Sequence, residues 1–141
     1  PYALLNEARD TQILFQLVMG AIAGLSLLVG GIGVMNVMLS NVAEQTREIG
    51  LRMAVGATRA RIISLYLCHA SLLCLAGGVV GLGLGVAAAL LVQVYAGWAV
   101  AFSALGLSLG PLSAVTAGLV FGLHPALRAA ALNPALALRE S

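Results

Sequence analysis

The sequence predicts an all-α membrane protein: three transmembrane helices, with a short amphipathic cytoplasmic helix between the first and the second. Three observations predict it: the composition, the length of the charge-free stretches and the placement of arginine. Hydrophobic residues make up 61% of the 141 positions and charged residues 9%, and the mean hydropathy is +1.05. A soluble domain carries about a quarter charged residues, because its surface must be wetted. So few charges leave lipid as much of the solvent. In lipid, backbone groups are satisfied only within helices or closed barrels.

The first span follows from the stretch between Thr11 and Ala43, which has no charged residue. Within it, Ile13 to Leu39 reaches about 40 Å at a helical rise of 1.5 Å per residue. The hydrocarbon core is about 30 Å thick, so the helix tilts or protrudes. A signal peptide does not fit: the run is too long, and the flank with Glu7, Arg9 and Asp10 is not basic. The second charge-free stretch, Ile62 to Leu127, is too long for one span and must fold back. The turn falls at Tyr95-Ala96-Gly97-Trp98, where glycine permits a bend and the two aromatics suit an interface. Span two then covers about Ser64 to Val94 and span three about Phe102 to Leu123, with Pro111 kinking span three or marking its entry into the membrane.

Arginine placement fixes the orientation. Arg47, Arg52, Arg59 and Arg61 lie between spans one and two, and Arg128 and Arg139 follow span three. An odd number of spans puts both groups on one side, which the positive-inside rule makes cytoplasmic. Only Arg9 lies outside, beside two acids. The N-terminus is thus expected outside and the C-terminus in the cytoplasm. The expected organisation is a stalk at residues 1–12, helix one at 13–43 and an elbow at 44–58. Helix two follows at 59–94, an external loop at 95–101, helix three at 102–123 and a cytoplasmic tail at 124–141.

Glycine spacing suggests how the helices meet. Gly20 and Gly24 form one GxxxG pair, and Gly77, Gly81 and Gly85 a double one on a single helix face. Small residues let backbones approach closely, where dispersion and weak polar contacts drive association in lipid. Against this stands the plain fact that membrane helices are rich in glycine.

The segment Ala43 to Ile62, which contains the elbow, holds half of the charged residues, in helical order. Glu48 and Arg52 make an i,i+4 pair in the favourable direction, with Glu44 and Arg47 on the same side. Val42, Ile49, Met53 and Gly56 form a thin apolar stripe. Gly56 is suited to end a helix and Thr58 to cap the next. A solvated charge run held to anionic lipid would explain Arg59 and Arg61, which oppose the macrodipole at the start of a helix. It would not explain Glu44 and Glu48, whereas a protein partner with a mixed-charge groove accounts for both signs.

The segments GGIGVMNVML, EQTREIGLRMAVGATRARI and PALRAAALNPALALR, spread over nearly the whole chain, resemble the C-terminal membrane domain of FtsX-like ABC permeases, most of all the MacB-type exporters. The resemblance implies four membrane helices in the complete permease, of which this chain supplies the last three, and a large extracytoplasmic domain after the first. It implies an ABC ATPase, separate or fused, that uses ATP and Mg and receives the elbow as a coupling helix. On that basis Glu44, Thr46, Arg47, Glu48, Gly50, Arg52 and Gly56 are the coupling positions. A homodimer, an extracytoplasmic adaptor and a bacterial inner-membrane location are implied in the same way. The chain departs from the family pattern at His69, where the family usually has Glu, at Leu127, where a basic residue is usual, and at Leu136, where an acid is usual.

Other chemistry is excluded or weak. The chain has no lysine, so it carries no Walker A loop. It opens on Pro1 without an initiator Met, as a segment of a longer polypeptide would. Cys68 and Cys74, six apart on a helix, are rotated by about 240° and fit packed thiols better than a disulfide. With His69 and His124 they show no metal-ligand spacing, so no metal site is expected. His69 is nonetheless an ionisable group within a span, a placement that is usually internal or functional. Asn36, Ser40 and Asn41 suit helix-helix hydrogen bonds or the membrane boundary. No nucleophile-base pattern or nucleic-acid surface is present, so the chain is not expected to be an enzyme or to bind nucleic acid. Three functions compete: mechanical transmission in an ABC system for export or extraction, a regulatory transmitter that activates a cell-wall hydrolase, and a truncated lipid-bound bundle without transport activity.

Overall fold

The computed structural model describes residues 2–97, 99–133 and 135. Four helices follow one another: α1 (Tyr2–Glu44), α2 (Thr46–Ala54), α3 (Arg59–Ala96) and α4 (Ala104–Ala130). Among the described residues there is no strand. The helices α1, α3 and α4 are each long and apolar enough to cross a membrane. Trp98, Leu136 and Arg139, to which the sequence assigns interfacial or tail roles, lie outside the described residues.

The chain divides into two units, residues 1–30 and 31–141. The first is a single exposed helix rich in Leu, Ile, Val, Phe and Met. Its apolar surface has lipid as its natural solvent. Within this unit a Cβ at Gly20 or Gly24 would meet no atom within 4 Å.

The second unit has two zones of contact. In the first, α3 and α4 run antiparallel and pack along a seam of small residues. A Cβ at Gly78 would lie 2.6 Å from the Ala114 Cβ, one at Gly118 would lie 2.9 Å from the Ser71 Cα, and one at Gly122 would lie 2.6 Å from the Ala70 Cβ. Ala70, Cys74 and Gly78 on α3, and Ala114, Gly118 and Gly122 on α4, each repeat every four residues, so each set forms one stripe. Gly77, Gly81 and Gly85 are not in this seam: a Cβ at any of them would meet nothing within 4 Å. One residue of register is about 100° of rotation, so the expected row turns away from the contact that its neighbour Gly78 makes. Gly31 of α1 lies against the ring of Phe121 on α4.

The second zone lies at the charged end. Met38 and Val42 of α1, Ile49 of α2, Ile62, Tyr66 and Ala70 of α3, and Ala126, Ala129 and Ala130 of α4 form one buried cluster. The last helix continues to Ala130 rather than ending near Leu123, so the first part of the expected tail is helical and packed. Pro111 and Pro125 both lie inside α4, where the carbonyls of Leu107 and Phe121 lose their helical donors. At the opposite end α3 closes on Gly97, with φ +68°, and α4 starts at the cap Ser103, whose side chain accepts from the Gly106 amide at 3.4 Å.

Candidate functional site

The elbow is a nine-residue helix held at both ends. At its start the chain barely leaves helical geometry: the Gln45 amide donates to Asn41 O at 2.9 Å and the Ile49 amide to Gln45 O at 3.0 Å. The Thr46 hydroxyl donates to Ala43 O at 2.8 Å and to Val42 O at 3.1 Å. These carbonyls belong to the end of α1, which would otherwise lack partners. From α3, the Tyr66 hydroxyl reaches the Gln45 side-chain oxygen at 3.2 Å and ties the joint to the next membrane helix.

At its end the elbow closes in a Schellman arrangement. The Gly56 amide donates to Met53 O at 3.1 Å and the Ala57 amide to Arg52 O at 3.0 Å. Gly56 has φ +103°, a conformation that a side chain makes costly. Thr58 then caps α3, its side chain accepting from the Arg61 amide at 3.3 Å. Gly56 and Thr58 thus take the roles that the sequence suggests.

The two faces of α2 differ sharply. Ile49 is 1% exposed and anchors the buried cluster, Gly50 is buried beside it, and Met53 packs at the edge. Opposite them, Arg47, Glu48, Leu51, Arg52 and Val55 are exposed, Leu51 by 56% and Val55 by 81%. Glu48 and Arg52 form the expected i,i+4 ion pair, with both side chains about half exposed. Two shallow depressions flank the helix. Glu44, Gln45, Arg47, Glu48 and Leu51 border one, and Asn41, Gln45, Glu48, Arg52, Tyr66 and His69 help line the other.

The seven residues singled out on α1 and the elbow therefore divide in two. Glu44, Arg47, Glu48 and Arg52 present an exposed mixed-charge face. Thr46, Gly50 and Gly56 shape or seat the helix instead. Sequence reasoning did not single out Tyr66 and Gln45, which join α3 to the elbow, or Ile62 and the alanines of α4 that receive Ile49. A tyrosine two turns into α3, near the charged end of the span, was the available signal. His69 and His124 are both exposed, and among the described residues no group of three His, Cys, Asp or Glu side chains could hold a metal. Cys68 and Cys74 are free thiols, the first exposed and the second half-buried, so packing accounts for Cys74 better than for Cys68.

Known proteins share this arrangement of sequence. The model of the FtsX-like permease C-terminal family matches residues 20–134. An ABC transporter permease of Bacillus subtilis, YknZ, is 49% identical over 122 residues, covering 86% of this chain and 31% of that relative. The macrolide export ATP-binding/permease protein MacB of Rhodopirellula baltica is 49% identical over 118 residues, covering 84% of this chain and 17% of the relative. MacB 1 of Yersinia pestis is 45% identical over 137 residues, covering 96% of this chain and 21% of the relative. The chain thus spans less than a third of the length of these relatives. With the family model matching most of its length and three membrane-spanning helices in its fold, the chain belongs to the FtsX-like permease C-terminal family.

Proposed function

We propose that this chain is the C-terminal membrane portion of an ABC transporter permease and works as a mechanical transmitter. In this reading α2 lies on the cytoplasmic side of a bacterial inner membrane and docks in a groove of an ABC ATPase, fused or separate. ATP and Mg act in that ATPase, since this chain has no lysine from which to build a Walker A loop. The chain itself transmits and does no chemistry.

The observation that carries the reading is the two-faced seating of α2. Its inner face is fixed through Ile49 to α1, α3 and α4, while its outer face leaves Glu48, Leu51 and Arg52 exposed. Packed interiors transmit displacement because they are close-packed and stiff. A push on the outer face is therefore passed to three membrane helices together. These would move an extracytoplasmic domain, where export or extraction takes place, in a complex with a second copy and an outer adaptor.

The test is Glu48→Arg in the full-length protein with its ATPase. Loss of the exposed ion pair costs the helix about 0.2–0.5 kcal/mol, too little to unfold it. A like charge forced into a docking groove costs up to several kcal/mol. Membrane insertion should stay normal, while co-purification of the ATPase, or stimulated ATP turnover where it is fused, falls and partly recovers in high salt. Normal turnover and association in the variant would contradict the proposal.

A further inference from the structure

A groove of about 560 Å³ opens at the inner corner of the elbow, where the end of α2 meets the first two turns of α3. Arg52, Val55, Arg61, Ile62 and Leu65 form most of its wall. Among the described residues no acid lines it; Glu48 pairs with Arg52 but is not part of the lining. Arg61 has no ion-pair partner among the described residues. Two guanidinium groups against one carboxylate leave the corner with a net charge of +1.

The rest of the setting is apolar. Ile62 forms a buried floor, and Val55 and Leu65 are exposed beside it. Leu72 is exposed two turns further along α3, on the face of Leu65. The groove thus sits at the end of a helix long and apolar enough to cross the membrane, with an apolar track leading away from it along that helix.

We infer that this groove binds the headgroup of an anionic phospholipid, with the phosphodiester between Arg61 and Arg52 and the acyl chain along Leu65 and Leu72. Guanidinium groups match phosphate oxygens in charge and in planar donor geometry. The net charge of +1 balances a monoanionic headgroup such as phosphatidylglycerol. A zwitterionic headgroup would bring its own cation towards Arg61. An anion here also offsets the positive charge that Arg59 and Arg61 place on the first turn of α3, where it opposes the macrodipole. The site would fix the elbow to the membrane surface while leaving Glu44 and Arg47, which do not line the groove, exposed.

The experiment uses the full-length protein in mild detergent with equal amounts of phosphatidylglycerol and phosphatidylcholine, and counts retained lipids by native mass spectrometry. Wild type should retain phosphatidylglycerol preferentially. Arg61→Gln should lower that preference about fivefold, the effect of one juxtamembrane basic residue. Arg128→Gln removes an exposed arginine at the same end but outside the groove, and should keep the preference. Three results would overturn the inference: no preference in wild type, preference retained in Arg61→Gln, or an equal loss in Arg128→Gln, which would mean diffuse surface charge only. Lower ATPase association in Arg61→Gln with unchanged lipid retention would assign the groove to the protein partner and would also overturn it.

Discussion

Replacing Gly118 by Ala adds a single methyl group to the α3–α4 seam. That methyl would lie 2.9 Å from the Ser71 Cα, 3.0 Å from the Ala70 carbonyl oxygen and 3.1 Å from the Cys74 Cβ. Two of the three neighbours are backbone atoms, which cannot rotate away, so the helices must separate locally. Overpacking of this kind costs about 1–3 kcal/mol. Gly81→Ala adds the same methyl on α3, where nothing lies within 4 Å, and gains up to about 1 kcal/mol of helix propensity. The two substitutions are chemically identical and should differ in sign. Unfolding of the purified full-length protein, titrated with SDS in mixed micelles and followed by circular dichroism, measures the difference. Gly118→Ala should unfold at a clearly lower SDS fraction than wild type, and Gly81→Ala at the same fraction or a higher one. Equal losses at both positions would refute the assigned seam and restore the Gly77, Gly81 and Gly85 row as the tight contact.

Two further outcomes follow from the same geometry. Gly78→Ala should destabilise because its methyl would meet the Ala114 Cβ at 2.6 Å, and adding Ala114→Gly should recover most of the loss; additive losses in the double variant would show that the two positions do not touch. Tyr66→Phe removes the hydrogen bond to Gln45 and should cost about 0.5–1.5 kcal/mol, felt at the elbow. Hydrogen exchange should quicken for amides of residues 45–56 and stay unchanged along α4 from Ala114 to Gly122, and unchanged exchange in the elbow would remove Tyr66 from the joint.

Much of the architecture was legible because the bilayer allows few solutions. A chain with so few charges must bury its backbone in helices, and Gly97 punctuates the long apolar run where a turn was needed. Gly56 and Thr58 were readable for a similar reason: positive φ and helix capping each admit few residue types. The α3–α4 seam was not read because a search for glycine pairs passes over Ala70, Cys74 and Ala114, which are small enough for close approach. The outward face of α2 could be read from the Glu48 and Arg52 spacing. The inward face was only partly readable, since the stripe named Ile49 but could not show that it sits against Ile62 and the α4 alanines. Those contacts join residues distant in the chain, and no local pattern records them. The Ser71 hydroxyl is buried on α3 with no hydrogen-bond partner among the described residues, a feature that no local sequence pattern records.

In the proposed reading the exposed face of α2 meets an ATPase while the opposite face is locked into the bundle. Site-specific photo-crosslinking in intact membranes tests it most directly, with a photoreactive residue placed in turn at Leu51, at Ile49 and at Leu72 of the full-length protein. Leu51 is 56% exposed on the outer face, Ile49 is 1% exposed in the core and Leu72 is 61% exposed along α3. Position 51 is expected to link to peptides of the ATP-binding domain, whether on the same polypeptide or on another. Position 49 should link only within α1, α3 and α4, and position 72 should yield no ATPase peptide. If position 51 links only to lipid, or position 49 reaches the ATPase as readily, α2 is not a seated coupling helix and the account fails.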